Sequence, residues 1–86
     1  MKRPKINTAA LRKVMRQYGD SNADLAKALY IKSATVISRK MCNWHDVRFK
    51  ATELLLIAQR YAMTPETQNA VFGELIKYYN ENYQFQ

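Results

Sequence analysis

The sequence predicts an all-α fold, a single domain of five helices. Three observations carry that prediction. The 86 residues include only two glycines and two prolines, too little punctuation for a many-stranded sheet. Apolar residues make up 48% of the chain, enough for a core and too many for a disordered segment. Those residues recur at spacings of three and four, the period of a helix with one buried side. The length fits one domain.

Residues 1–7, "MKRPKIN", are polar, basic and broken by Pro4, and read as a flexible arm. The first helix comes next, capped by Asn7 or Thr8. It sets Leu11, Val14, Met15 and Tyr18 on one side and Arg12, Lys13 and Arg16 largely on the other. Gly19 ends it, as glycine commonly does just past a helix. Ser21 or Asn22 caps a second helix over roughly 22–29, with Leu25, Ala26 and Leu29 inward. Ser33 caps a third, reaching about Cys42, with Ile37 and Met41 inward.

"NWHDVRFK" has no helical period and reads as a loop whose Trp44, Val47 and Phe49 fold back on the core. "ATELLLIAQRYA" is the central helix, offering Leu54, Leu55, Ile57, Ala58 and Tyr61 for burial. Thr64 and Pro65 start the fifth helix, proline standing where a missing N–H costs nothing, and it runs to about Tyr79. Its stripe of Val71, Phe72, Leu75, Ile76 and Tyr79 is either the last wall of the core or a dimer seam. The domain spans 8–80, and residues 81–86 read as a frayed tail.

Charge is uneven. The net charge is +7; residues 1–50 hold twelve Lys/Arg against three Asp/Glu, and residues 51–86 two against four. A basic half joined to a mildly acidic half points to a polyanion-binding face, although basic charge also serves solubility. The single Cys42 excludes an internal disulfide and a cysteine-rich zinc site. No apolar run is long enough for a membrane span, and no apolar core comes after the basic start. The expected compartment is the cytoplasm. His45 and Asp46 lack a paired nucleophile and read as surface or phosphate-contacting residues. No metal, cofactor or catalysis is expected.

Two short helices, a tight turn, a polar second helix and a basic surround form the pattern of a helix-turn-helix. A B-DNA major groove admits one α-helix and presents base edges to it. Ser33, Thr35, Ser38 and Arg39 supply short and hydrogen-bonding side chains on the third helix's outer side, opposite Ile37 and Met41. Arg39 suits a bidentate contact to guanine. Asn22, Lys32 and Lys40 are expected DNA-backbone contacts, with Lys2, Arg3 and Lys5 as further arm contacts. The same polar helix, taken alone, also suits an ordinary solvated surface.

"DLAKALYIKSATVISRKM" resembles the helix-turn-helix of the phage repressor and Cro family, the lambda-repressor-like domains, and more narrowly the small regulators of phages of Gram-positive bacteria. The likeness lies in Leu25-Ala26-Lys27-Ala28-Leu29, Tyr30-Ile31 and Ser38-Arg39-Lys40-Met41, and continues through Phe49, Ile57-Ala58 and "MTPE", covering about residues 8–68. The resemblance implies a five-helix fold, duplex DNA as partner, a homodimer at least on DNA, and regulation of transcription in a bacterial or phage-infected cell. It also implies DNA-backbone contacts from Asn43 and Lys50, in the loop after the third helix. A protein-interaction module of the same fold, an antitoxin or anti-repressor acting through its last helix, is the alternative.

This sequence departs from the pattern at two places. Tyr30 stands where the turn usually has glycine, and one extra residue, near Lys32, lies between the helices. The longer turn predicts that Tyr30 keeps a negative φ; a positive φ there overturns this register, and with it the choice of Ser38 and Arg39 over their neighbours as base readers.

Overall fold

The computed structural model describes residues 3–82, which form five helices and no strand: α1 (Thr8–Gln17), α2 (Asn22–Ala28), α3 (Ala34–Met41), α4 (Ala51–Arg60) and α5 (Pro65–Asn82). Lys2 and residues 83–86 lie outside the described residues, and α5 continues past Tyr79 to Asn82. Side chains near the helix starts satisfy backbone N–H groups that have no partner within the helix. The Asn7 amide oxygen accepts from the Ala10 N–H (3.1 Å), the Ser33 hydroxyl from the Thr35 N–H (3.1 Å) and the Thr64 hydroxyl from the Thr67 N–H (3.1 Å). Ser21 and Asp24 close a reciprocal capping box at α2.

The core is built where the helical periods meet. Leu11 and Met15 of α1, Leu25 of α2, Ile37 and Met41 of α3, Leu54 and Ile57 of α4, and Val71, Phe72, Leu75 and Tyr79 of α5 are buried around Phe49 from the α3–α4 loop. The α5 stripe is therefore chiefly a core wall; of the five seam candidates, only Ile76 is left half-buried. Leu55 is 56% exposed, because Leu54, Leu55, Leu56 and Ile57 cannot all face inward on a helix that turns about 100° per residue.

The arm is docked rather than loose over residues 3–7. Ile6 is buried, and the Asn7 N–H donates to the Val71 carbonyl (2.8 Å). The Asn43 side-chain amide pairs with both backbone groups of Ile6 (2.9 and 3.0 Å). Arg48, buried and without a carboxylate partner among the described residues, donates to the carbonyls of Pro4, His45 and Val47. On the far side of the molecule, Asp20 accepts two hydrogen bonds from Arg60 (2.6 and 2.9 Å) and one from the Tyr61 hydroxyl (2.8 Å). The Arg60 guanidinium holds the Asp20 carboxyl below its ordinary range, and burial pushes the Tyr61 hydroxyl up. This cluster ties the α1–α2 loop to the end of α4.

Helices α1, α2 and α4 end in the same way. Gly19, Tyr30 and Ala62 are left-handed (φ +69°, +59° and +47°), and the N–H of the next residue reaches back along the helix: Asp20 to Met15, Ile31 to Ala26, Met63 to Ala58. These are Schellman closures, completed by shorter bonds from Gly19 to Arg16, Tyr30 to Lys27 and Ala62 to Gln59. The expectation for Tyr30 is thus overturned. Its φ is demanded by the way α2 stops, and Ile31–Ser33 carry the chain from that closure to the start of α3. The positive φ meets the condition set for overturning the register, so the choice of Ser38 and Arg39 now rests on other observations: Ser33 caps α3, and Ile37 and Met41 are buried.

Tyr30 is 89% exposed, so its side chain contributes almost no packing to offset the backbone cost. Left-handed backbone costs a non-glycine residue about 1–2 kcal/mol, and glycine's greater freedom in the unfolded chain returns about 0.4–1 kcal/mol of that. Tyr30→Gly is therefore expected to stabilise the domain by about 0.5–1 kcal/mol. Urea unfolding monitored by circular dichroism measures this, and a lowered midpoint would mean that the tyrosine side chain is held by a contact.

Candidate nucleic-acid interface

Helices α2 and α3 pack more closely on one another than any other pair. With Ile37 and Met41 buried beneath it, α3 turns Thr35 and Arg39 to solvent, leaves Ser38 half-buried, and carries the exposed Cys42 just past its end. These four positions share one side of the helix through spacings of three and four. Lys32 is exposed just before the helix. Ser33 is half-buried with its hydroxyl oxygen engaged in the cap, leaving the O–H free to donate outward.

Arg39 has no hydrogen bond or ion pair among the described residues. Its guanidinium carbon lies 4.7 Å from the centre of the Trp44 ring. Trp44 is 48% exposed and does not fold back on the core; of the loop residues expected there, Phe49 is fully buried and Val47 partly so. The His45 ring meets the indole edge-on at 4.0 Å.

The expected backbone contacts separate into two groups. Lys32 and Lys50 are exposed, and Asn22 is half-buried at the start of α2. Lys40 is not available: it is buried, with its ammonium 2.7 Å from a Glu53 carboxylate oxygen and over the Phe49 ring. Asn43 is also engaged, its amide holding Ile6 and reaching the Thr8 hydroxyl, which itself donates to the Met41 carbonyl. In the arm, Arg3 donates to the Tyr79 hydroxyl and to the Asp46 carbonyl, while Lys5 is exposed.

Sequence reasoning missed α1. Arg12 and Arg16, one turn apart on its exposed side, line a shallow groove with Asn22 and Met41, and Arg12 Nη2 lies 3.4 Å from Cys42 Sγ. Their place on the exposed flank of the Leu11–Met15 stripe was readable; that this flank borders the end of α3 was not. Arg12, Arg16 and Asn22 thus flank α3 at Met41, in a groove that Asp20 also lines, while Lys32 and Arg39 are exposed before and on α3 itself. No protein-family model, curated protein or solved structure matches the chain. Among the described residues no group of three His, Cys, Asp or Glu side chains is placed to hold a metal, and no helix is long and apolar enough to cross a membrane.

Proposed function

We propose that this chain is a sequence-selective, double-stranded DNA-binding regulator of transcription, of the phage repressor and Cro type, with α2 and α3 as its helix-turn-helix. The reading is supported above all by α3, a helix anchored by Ile37 and Met41 that turns Thr35 and Arg39 to solvent with Ser38 half-buried between them, and by the exposed Lys32 just before it. In this reading Ser33, Thr35, Ser38 and Arg39 face base edges in the major groove. Asn22, Lys32, Lys50, Arg12 and Arg16 meet phosphates, and Lys5 extends that set. Lys40, Asn43 and Arg3 are withdrawn from it. The protein works in the cytoplasm of a bacterial or phage-infected cell. Selection from random duplex DNA tests the proposal. A recovered palindrome with half-site centres about 34 Å apart supports it, and equal affinity for selected and random duplexes at every salt concentration rejects it.

A two-fold site calls for a second copy of the chain. A groove of about 320 Å³ between α4 and α5 is lined by Ala51, Leu54, Leu55, Gln68, Ile76, Tyr79 and Asn80, all uncharged, with Leu55 protruding beside it. A second copy meeting this surface on a two-fold axis would cover both Leu55 side chains with uncharged groove walls. Burial of a leucine is worth about 1.5–3 kcal/mol per copy, so Leu55→Asp is expected to weaken the pair at least about a hundredfold. Sedimentation equilibrium measures it; an unchanged dimer places the seam elsewhere. The same groove is the feature that favours the alternative, an interaction module for another regulator. That alternative predicts partner binding that survives loss of Arg39.

A further inference from the structure

Trp44 lies between two left-handed residues, Asn43 and His45 (φ +56° and +50°). Asn43 closes α3 much as Gly19, Tyr30 and Ala62 close α1, α2 and α4, and His45 repeats the conformation two residues on. The loop is held in this form from several directions. Asn43 is fixed through its amide to Ile6, the Trp44 N–H donates to the Arg39 carbonyl (3.1 Å), the Val47 N–H donates to the Trp44 carbonyl (2.9 Å), and Arg48 Nη1 donates to the His45 carbonyl (3.0 Å). Large aromatic side chains normally repay such ordering by burial. Here the ordered loop instead delivers a half-exposed indole against Arg39.

We propose that Trp44 is a positioning residue for Arg39, fixing its guanidinium for a bidentate contact with a guanine in the major groove. This deepens the DNA-binding reading above and rests on it. The ring holds the guanidinium without offering an oxygen acceptor, so none of the Arg39 N–H groups is committed to an acceptor among the described residues. A phosphate accepts from many directions and gains little from a fixed arginine. The O6 and N7 of guanine accept only in one plane, so a clamp on the planar cation improves base discrimination in particular.

The test uses the full chain and two duplexes of about 30 base pairs, one recovered by selection from random DNA and one scrambled. Trp44→Ala is expected to lower the preference for the selected duplex about three- to tenfold, the gain expected from pre-ordering one long side chain. Arg39→Ala lowers it further, and the double variant is no worse than Arg39→Ala alone. Trp44→Phe keeps a ring under the guanidinium and recovers part of the loss, which covers the case in which alanine unfolds the loop. Trp44 is the only tryptophan, so its fluorescence reports the site directly and changes more on the selected than on the scrambled duplex. Equal loss on both duplexes, additive losses, or fluorescence indifferent to the selected duplex overturns the proposal while leaving DNA binding intact. A wild-type chain that cannot tell the two duplexes apart removes both readings together.

Discussion

Glu53→Ala is expected to lower the stability of the domain by about 3–5 kcal/mol, a large share of the about 5–15 kcal/mol that small domains have in total. Glu53 Oε1 accepts from the Lys40 ammonium at 2.7 Å and from the Lys50 N–H, also at 2.7 Å. Both side chains of the pair are largely out of water, at 11% and 9% exposure. Removing the carboxylate strands a cation between α3 and the Phe49 ring and leaves the start of α4 without an acceptor. The loss comes from the orphaned charge more than from the pair itself. Lys40→Met combined with Glu53→Gln, which keeps an acceptor for the Lys50 N–H, is therefore expected to recover most of the stability. Urea unfolding of the three chains decides it: a Glu53→Ala variant within about 1 kcal/mol of the parent would mean that water reaches Lys40 freely.

That ion pair also shows where the sequence could be read and where it could not. Lys40 lies three residues after Ile37 and just before Met41, so helical spacing already set it on the inner flank of α3. Its positive charge on the basic half of the chain points instead to a phosphate contact. What spacing cannot supply is the partner, because Glu53 reaches Lys40 only after the α3–α4 loop has folded back through Phe49. Helix starts were legible because the cap is a local bond between residues two or three apart: Ser21, Ser33 and Thr64 each announce one. Helix ends were legible only at Gly19. At Tyr30 and Ala62 the left-handed backbone is imposed by the neighbour that must turn inward, Met63 being buried and Ile31 partly so, and the residue type carries no trace of it. Trp44 failed for the opposite reason. Its size argues for burial, and only the pinned backbone of its two neighbours turns it outward. The all-helical architecture and the outer side of α3 were therefore readable from periodicity. The trimming of the candidate interface, with Lys40, Asn43 and Arg3 engaged in the fold and Arg12, Arg16 and Trp44 added to the surface, came from contacts between segments far apart in the chain.

Arg39→Ala carries the largest expected effect on function. Arg39 is exposed and has no polar partner among the described residues, so its removal should leave stability within about 0.5 kcal/mol of the parent. If it reads a guanine, the preference for a selected duplex falls by about 1–3 kcal/mol, roughly five- to 150-fold, and the base at the contacted position becomes free to vary. Lys32→Ala offers the contrast. Loss of an exposed lysine that meets phosphate beside the helix weakens binding to selected and random duplexes alike and lowers the dependence of log K on log salt by about one counterion. Comparing the two variants by fluorescence anisotropy across a salt series separates reading from holding. Should Arg39→Ala behave like Lys32→Ala, losing affinity everywhere and selectivity nowhere, α3 would be a charged surface rather than a reading helix. The α4–α5 groove would then become the better place to look for what the protein does.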